Sequence, residues 1–117
     1  MHTVLETIEY LKAADNAGMG EEERVAVVDL LATKPEAGAI MPGCGGARKL
    51  RVGKRGTGKS GGYRVISYYA GEDVPVFLLT VFGKGEKDNL TMAERNALAG
   101  LTKRLKHSLF SPTGRKQ

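Results

Sequence analysis

A dense cluster of basic side chains occupies the middle of the chain. Between residues 48 and 64 there are seven Lys and Arg residues and no Asp or Glu. Cations this close repel one another unless an anion binds among them, and nucleic-acid phosphate is the usual anion for such a patch. The segment therefore predicts binding of a polyanion. Its basic members are Arg48, Lys49, Arg51, Lys54, Arg55, Lys59 and Arg64.

The spacing of these cations predicts that several of them share one face of a sheet. Residues 48–52 (RKLRV) have the composition of a strand, and strand alternation places Lys49 and Arg51 on the same face. Arg64 lies in the next predicted strand, over 63–70, and Lys84 lies just past the end of the third predicted strand, over 74–82. If the three strands pair, these four cations converge. Taken singly, each could equally be a solvated surface charge or a salt-bridge partner.

Such a constellation suits cleavage of RNA by its own 2′-hydroxyl group, which attacks the adjacent phosphate. The reaction needs a base at the 2′-OH, an acid at the leaving 5′-oxygen and positive charge around the phosphate. The two histidines, His2 and His107, lie in the terminal segments, so the base would be a lysine whose pKa is lowered by neighbouring cations. Arg64 would stay charged and bind two phosphate oxygens. We expect no metal and no cofactor, because no Cys or His cluster has ligand spacing.

Aromatic residues near the cations suggest a stacking surface for RNA bases. The candidates are Tyr63, Tyr68, Tyr69 and Phe82. Aromatic residues on strands more often belong to a core, and that alternative stays open on the sequence alone.

One motif matches a nucleotide-binding signature and is rejected on physical grounds. Residues 53–60 (GKRGTGKS) fit the P-loop pattern, in which the lysine and the hydroxyl lead directly into a helix whose amides bind phosphate. Here the sequence GGYRVI follows, which predicts a strand. The glycines fit a hairpin loop instead, and Lys54, Arg55 and Lys59 fit contacts to the backbone of a polyanion.

Length and composition indicate a small globular protein. A chain of 117 residues that is 41% hydrophobic predicts one domain over 1–117 with its own core. The single cysteine, Cys44, has no partner for an internal disulfide, which favours a reducing compartment. No apolar run is long enough to cross a bilayer, and the first residues lack a signal-peptide pattern. We expect a cytoplasmic protein with no membrane partner and a disordered tail over 111–117.

The pattern of apolar residues and turn signals predicts an α+β fold in the order β-α-α-β-β-β-α. Two N-terminal helices should pack on an antiparallel sheet, the second of them through Val25, Val28 and Leu31. The most buried strand should be 76–82, which is apolar on both faces. The predicted elements begin with a strand over 3–7, a helix from Ile8 that ends near Asn16 or Gly18, and a helix from 21 to Pro35. An irregular loop over 34–47, strands over 48–52, 63–70 and 74–82, and a helix from Thr91 to about Ser108 follow.

Several segments together resemble one known family. Their sequences are GGARKLR at 45–51, GKSGGYRVI at 58–66, LLTVFGK at 78–84 and KDNL at 87–90. As a set they are similar to the HigB-like branch of the RelE toxin superfamily. The likeness runs from about Pro35 to Leu90, and the order of the flanking helices agrees with it.

The resemblance implies a RelE-like fold and a bacterial toxin of a type II toxin-antitoxin system. Toxins of this kind are ribosome-dependent endoribonucleases that cut mRNA in the decoding site of the 16S rRNA and so inhibit translation. A protein antitoxin, HigA-like with a helix-turn-helix, neutralises them, and we expect it to supply acidic or apolar segments. Carried over by position, the catalytic cations fall on Lys49, Arg51, Arg64 and Lys84. The residues expected to contact RNA or the ribosome are Arg48, Lys54, Arg55, Lys59, Tyr63 and Lys87.

The sequence departs from the family in one respect. RelE itself uses a tyrosine shortly after the last strand, whereas the corresponding stretch, GEKDNLT at 85–91, contains none. Lys49, Lys59, Lys84 and Lys87 therefore all stay eligible as acid or base. Superfamily members of the ParE type poison DNA gyrase instead of cutting RNA, and an inactive RNA-binding relative is a further alternative, since a shared fold does not fix activity.

Overall fold

The protein contains a five-stranded mixed sheet with helices on both faces. This computed structural model describes residues 1–54, 58–83 and 90–110, and the side chains of 1–53, 62–83 and 90–108. The strands lie in the order β1-β5-β4-β3-β2, so the α+β prediction is confirmed. The elements are β1 (Val4–Glu6), α1 (Ile8–Asn16), α2 (Glu21–Thr33), β2 (Ala39–Ile40), β3 (Arg48–Lys54), β4 (Gly58–Tyr69), β5 (Val76–Gly83) and α3 (Met92–Phe110).

Strands β3, β4 and β5 form the predicted antiparallel meander in chain order. The side chains of β5 from Val76 to Phe82 are almost all buried, as expected for the most apolar strand. Two short strands extend the sheet beyond the meander. β1 pairs in parallel with β5, and β2, which lies within the loop predicted to be irregular, pairs antiparallel with β3.

Strand β4 decides against the P-loop interpretation. It runs without a break from Gly58 to Tyr69, so the lysine and hydroxyl that complete the motif lie in a strand. A P-loop needs a helix at this point to direct its amides at phosphate. The rejection of the nucleotide-binding motif is confirmed.

The N-terminal helices begin where side chains satisfy backbone amides. The Thr7 hydroxyl accepts a hydrogen bond from the Tyr10 amide at 3.1 Å, and a Glu23 carboxylate oxygen accepts one from the Gly20 amide at 2.8 Å. Acidic residues in the first turn of α2 also stabilise the positive end of its dipole. The starts of both helices agree with the prediction, and the Thr7 cap is a further local signal that the sequence offered there.

Helix α2 packs on the sheet with a different set of residues from the predicted one. Val27 and Leu31 are buried, whereas Val25 is 51% exposed and Val28 is only partly buried. The prediction is therefore wrong for Val25 and right for Leu31 and for Val28, which packs against the same cluster while partly exposed. Apolar residues lie all around this helix between 25 and 31, so the pattern identifies a helix without fixing its rotation.

Each face of the sheet buries its own apolar cluster. On the side of α1 and α2, Leu50, Val65 and Val81 pack with Tyr10. Burial raises the pKa of Tyr10 to about 12, so the phenol stays neutral and donates a hydrogen bond to the Met19 sulfur. On the opposite face, side chains of β4 and β5 pack with α3.

Helix α3 approaches the loop before β3 very closely at Gly45. Its N-terminus carries a capping box between Thr91 and Glu94, and further along Thr102 donates a hydrogen bond to the Cys44 carbonyl at 3.4 Å. Gly45 has a φ of +69°, and a Cβ at this position would overlap Thr102 Oγ1. Glycine is needed here both for its backbone conformation and for this approach.

We predict that Gly45→Ala destabilises the protein more than Gly43→Ala does. Gly43 has a φ of +74° but open space where a Cβ would lie, so the two variants share only the left-handed penalty of about 1–2 kcal/mol. Gly45→Ala must also displace α3, which should cost about 1–3 kcal/mol more. Urea unfolding of both variants measures the difference, and equal losses would contradict the close approach.

Candidate functional site

The sheet brings three of the four predicted catalytic cations together. In the β3–β4 pair Arg51 lies directly opposite Arg64, and Arg64 in turn lies opposite Phe82 of β5. Residues directly opposite each other point to the same face, with Cβ atoms about 4.5–5.5 Å apart. Lys49 lies two residues before Arg51 and shares that face. We call Lys49, Arg51 and Arg64 the cation cluster.

The members of the cation cluster differ in their exposure to solvent. Arg51 is exposed, Lys49 is partly buried, and Arg64 is only 3% exposed. Two guanidinium groups directly opposite each other in a sheet can both donate hydrogen bonds to one phosphate group, which also offsets the repulsion between like charges. The geometry is suited to holding a phosphate between a surface side chain and a buried one.

The cation cluster borders the apolar surface that α3 covers. Ile66 lies opposite Lys49, and Phe82 lies opposite Arg64. Both of these apolar residues belong to the cluster that is buried with Leu98 of α3. The position of α3 and the environment of the cations are therefore linked through one face of the sheet.

Arg48 does not lie with the cation cluster, although it was predicted to contact RNA. Strand alternation places it on the opposite face from Lys49. Its guanidinium donates hydrogen bonds to the carbonyl oxygens of Glu36 and Gly38 at 3.0 and 3.3 Å. These contacts hold the segment before β2 against β3. In this structure Arg48 therefore stabilises the backbone at this edge of the sheet.

Tyr63 is also separated from the cluster, because it precedes Arg64 and points to the helix side of the sheet. It is 1% exposed, and its hydroxyl lies 3.3 Å from the Gly18 carbonyl and 3.2 Å from a Glu23 carboxylate oxygen. Burial first, and then the Glu23 charge, raise the pKa of Tyr63, so the phenol remains a donor. This position offers no surface for stacking a base.

The other aromatic candidates also have core contacts. Tyr68 and Phe82 are buried in the cluster on the α3 side. Tyr69 is partly buried, and its ring meets that of His2 edge to face with centroids 5.1 Å apart. The core alternative therefore describes these residues better than a base-stacking surface does.

The remaining predicted site residues lie outside this geometry. Arg55, Lys84 and Lys87 fall outside the described residues, as does the tail over 111–117. The side chains of Lys54 and Lys59 are likewise not described, although their backbones belong to β3 and β4. The roles assigned to these cations stay predictions from the sequence.

A comparison with known families decides the class of this protein. Residues 11–110 match the family model described as the RelE toxin of the RelE/RelB toxin-antitoxin system. The chain belongs to the RelE toxin family. The match spans most of α1 and every later element, so it includes both strands that carry the cation cluster.

Membership of the RelE family makes this chain a toxin of a toxin-antitoxin pair, with a cognate antitoxin as its partner. In the part of the chain that the structure describes, no helix is long and apolar enough to cross a membrane. Among the same residues, no group of three or more His, Cys, Asp or Glu side chains could hold a metal ion. The cation cluster itself consists of Lys and Arg side chains.

The position of Phe82 beside the cation cluster could not be predicted from the sequence. The sequence offered Phe82 as either a stacking or a core residue, and the structure places it opposite Arg64 in the sheet and within the apolar cluster on the α3 side. Side-chain alternation along β4 and β5 does not by itself show which residue of β5 lies beside Arg64, because that depends on the register between the two strands.

We predict that Tyr63→Phe lowers stability and leaves toxicity unchanged. Loss of the hydroxyl removes its hydrogen bonding to Gly18 and Glu23, which should cost about 1 kcal/mol. Urea unfolding and growth arrest after induction measure the two effects. Tyr69→Phe, at the end of the same strand, is the matched control. A loss of toxicity confined to Tyr63→Phe, with stability unchanged, would support a contact between Tyr63 and RNA.

Proposed function

We propose that this RelE-family toxin is a ribosome-dependent endoribonuclease that cuts mRNA in the decoding site and thereby inhibits translation. It would belong to the HigB-like branch and pair with a HigA-like antitoxin that carries a helix-turn-helix. The observation that carries the proposal is the direct pairing of Arg51 with Arg64, with Lys49 on the same face. A protein that only blocks another protein has no need for cations arranged around a phosphate.

The proposed reaction uses the message's own 2′-hydroxyl group as the nucleophile. A base removes the 2′-OH proton, the 2′-oxygen forms a bond to phosphorus, and the bond from phosphorus to the 5′-oxygen breaks. An acid gives a proton to that leaving oxygen, so the products are a 2′,3′-cyclic phosphate and a 5′-hydroxyl end. The cation cluster stabilises the negative charge that builds up on the phosphate oxygens.

Within the cation cluster the proposed roles follow from exposure and chemistry. Arg51 and Arg64 can each bind phosphate oxygens through a planar guanidinium fork. Because Arg64 is 3% exposed, its contact with the message requires neighbouring side chains to move aside. Lys49 is the candidate acid or base in the described part of the site, and Lys59, Lys84 and Lys87 are the candidates outside it.

Primer extension on a translated message tests the proposed function. Induction of the toxin in a bacterium should produce new 5′ ends within the coding region. The same message with its start codon removed is the matched control and should stay intact, because no ribosome presents it. Cleavage of both messages would contradict ribosome dependence, and growth arrest with intact messages and DNA breaks would favour a gyrase poison. Intact messages and normal growth would indicate an inactive relative.

We predict that changes at Arg64 separate chemistry from binding. Arg64→Lys keeps a positive charge but loses the fork, and Arg64→Ala loses both, so each should slow cleavage on the order of a hundredfold. Sedimentation with ribosomes should stay near wild type, whereas Lys54→Ala combined with Arg55→Ala should weaken sedimentation in a salt-dependent way. Circular dichroism checks folding, and an Arg64→Lys protein that is folded and fully toxic would contradict the assignment.

We also predict that the toxin itself needs no bound metal for cleavage. The purified protein is treated with EDTA, freed of the chelator and added to ribosomes in magnesium buffer, which keeps the ribosome intact. Cleavage should proceed at the rate of untreated toxin, because Lys and Arg supply the positive charge. Activity that disappears and returns only on addition of a transition metal would refute the metal-independent mechanism.

A further inference from the structure

The C-terminal half of α3 carries a second group of cations, separate from the cation cluster. From Arg95 to Gln117 the sequence contains six Lys and Arg residues and no Asp or Glu. Lys103, Arg104 and Lys106 are all exposed. Among the residues that the structure describes, none of these three side chains has an ion-pair or hydrogen-bond partner.

The chemistry of the helix itself does not account for these cations. Side chains three and four residues apart are neighbours on a helix, and the neighbours of Lys103 at these spacings include Lys106 and His107 but no carboxylate. The helix dipole favours cations only within the last turn, whereas Lys103 lies about two turns before the end of α3 at Phe110. The cations are therefore available to an anion from outside the helix.

Two of these cations lie on the side of α3 that meets the loop before β3. The Ala99 Cα lies 3.4 Å from the point where a Cβ on Gly45 would be. Ala99, Lys103 and Lys106 are spaced i, i+4 and i+7, which places them on one face of the helix. We call Lys103 and Lys106 the α3 lysine pair.

The loop beside the α3 lysine pair leads directly into the cation cluster. Gly45 precedes Lys49 by four residues, so at most about 14 Å separate their Cα atoms. Lys49 lies opposite Ile66, which is buried with Leu98 of α3, so the cation cluster is on the sheet face that α3 covers. The two groups of cations thus lie on the same side of the sheet, on either side of one loop.

We propose that the α3 lysine pair binds the phosphate backbone of the same RNA strand that the cation cluster holds. A polynucleotide is the anion whose charges repeat along its length, so one strand can contact both groups of cations. The identity of the strand as the message rests on the proposed function. The lysine pair takes no part in the chemistry and adds contacts to phosphates some nucleotides away from the one that is cut.

Binding of labelled single-stranded RNA to the purified full-length toxin tests the proposal. Fluorescence anisotropy is measured over a salt series with strands of about 4 and about 12 nucleotides. For the longer strand, Lys103→Gln combined with Lys106→Gln should reduce the slope of log affinity against log salt concentration by about 1.4, because each phosphate contact contributes about 0.7. The shorter strand, which the cation cluster can hold alone, should bind this variant and the wild type equally.

A matched variant controls for net charge. Lys12→Gln combined with Lys34→Gln removes the same charge from two exposed positions, on α1 and at the end of α2, and these helices pack on the opposite face of the sheet. This variant should bind both strands as the wild type does. Glutamine is a good helix former, and circular dichroism checks that both variants are folded. Equal losses for the two double variants, or for the two strand lengths, would indicate general electrostatic attraction and overturn the proposal.

Three further outcomes would each overturn the proposal. Normal binding of the longer strand by the lysine-pair variant, together with weaker sedimentation with ribosomes, would assign the pair to ribosomal RNA. Loss of binding to phosphatidylserine vesicles with RNA binding intact would assign it to a lipid surface. A wild-type toxin that does not bind the longer strand even at low salt would also contradict the proposal.

Primer extension with the wild-type toxin keeps this inference separate from the proposed function. New 5′ ends in translated messages, together with unaltered RNA binding by the lysine-pair variant, would leave the endoribonuclease standing and reject the role of the pair. A length-dependent loss of RNA binding in the variant of a toxin that never cleaves would support the pair and reject the endoribonuclease.

Discussion

The register between β3 and β4 is the constraint on which the site depends. Slipping this pairing by one residue would turn Arg51 to the opposite face and separate it from Arg64. Apolar residues hold the register, because Leu50 and Val65 are paired and are buried together against the N-terminal helices. The core on one face of the sheet thus positions the cations on the other.

The two faces of the sheet differ in what their side chains contact. The face toward α1 and α2 carries an apolar cluster. Tyr63 and Arg48 stabilise the structure on that side by donating hydrogen bonds to backbone carbonyl oxygens. The other face combines the cation cluster with the surface buried by α3. Among the described side chains of α3, only Leu98 and Thr102 are buried, and the helix approaches the loop before β3 most closely at Gly45. A ligand that displaces α3 would therefore change the surroundings of Arg64 through Phe82.

Much of the fold was predictable because its signals are local. The caps at Thr7 and Thr91 mark helix starts, and alternating β-branched and aromatic residues mark the strands of the meander. Alternation also placed Lys49 and Arg51 on one face. The same rule implied that Tyr63 faces away from its neighbour Arg64, so its assignment to the RNA site conflicted with a signal already in the sequence.

Long-range pairing was the part that the sequence could not supply. The parallel pairing of β1 with β5 joins residues more than 70 positions apart, and nothing in the short segment 4–6 names its partner. The rotation of α2 was likewise undetermined, since the choice between Val25 and Val27 depends on which side the sheet lies.

The central claim is that Arg51 and Arg64 bind the same phosphate during cleavage, and a double-mutant cycle tests it most directly. Single-turnover cleavage of a ribosome-bound message is measured for Arg51→Gln, Arg64→Gln and the double variant, each checked for folding. Two groups that act on one phosphate should be strongly coupled, so the double variant should be little slower than the slower single variant. Independent, multiplicative losses, or wild-type rates in both single variants, would contradict the account.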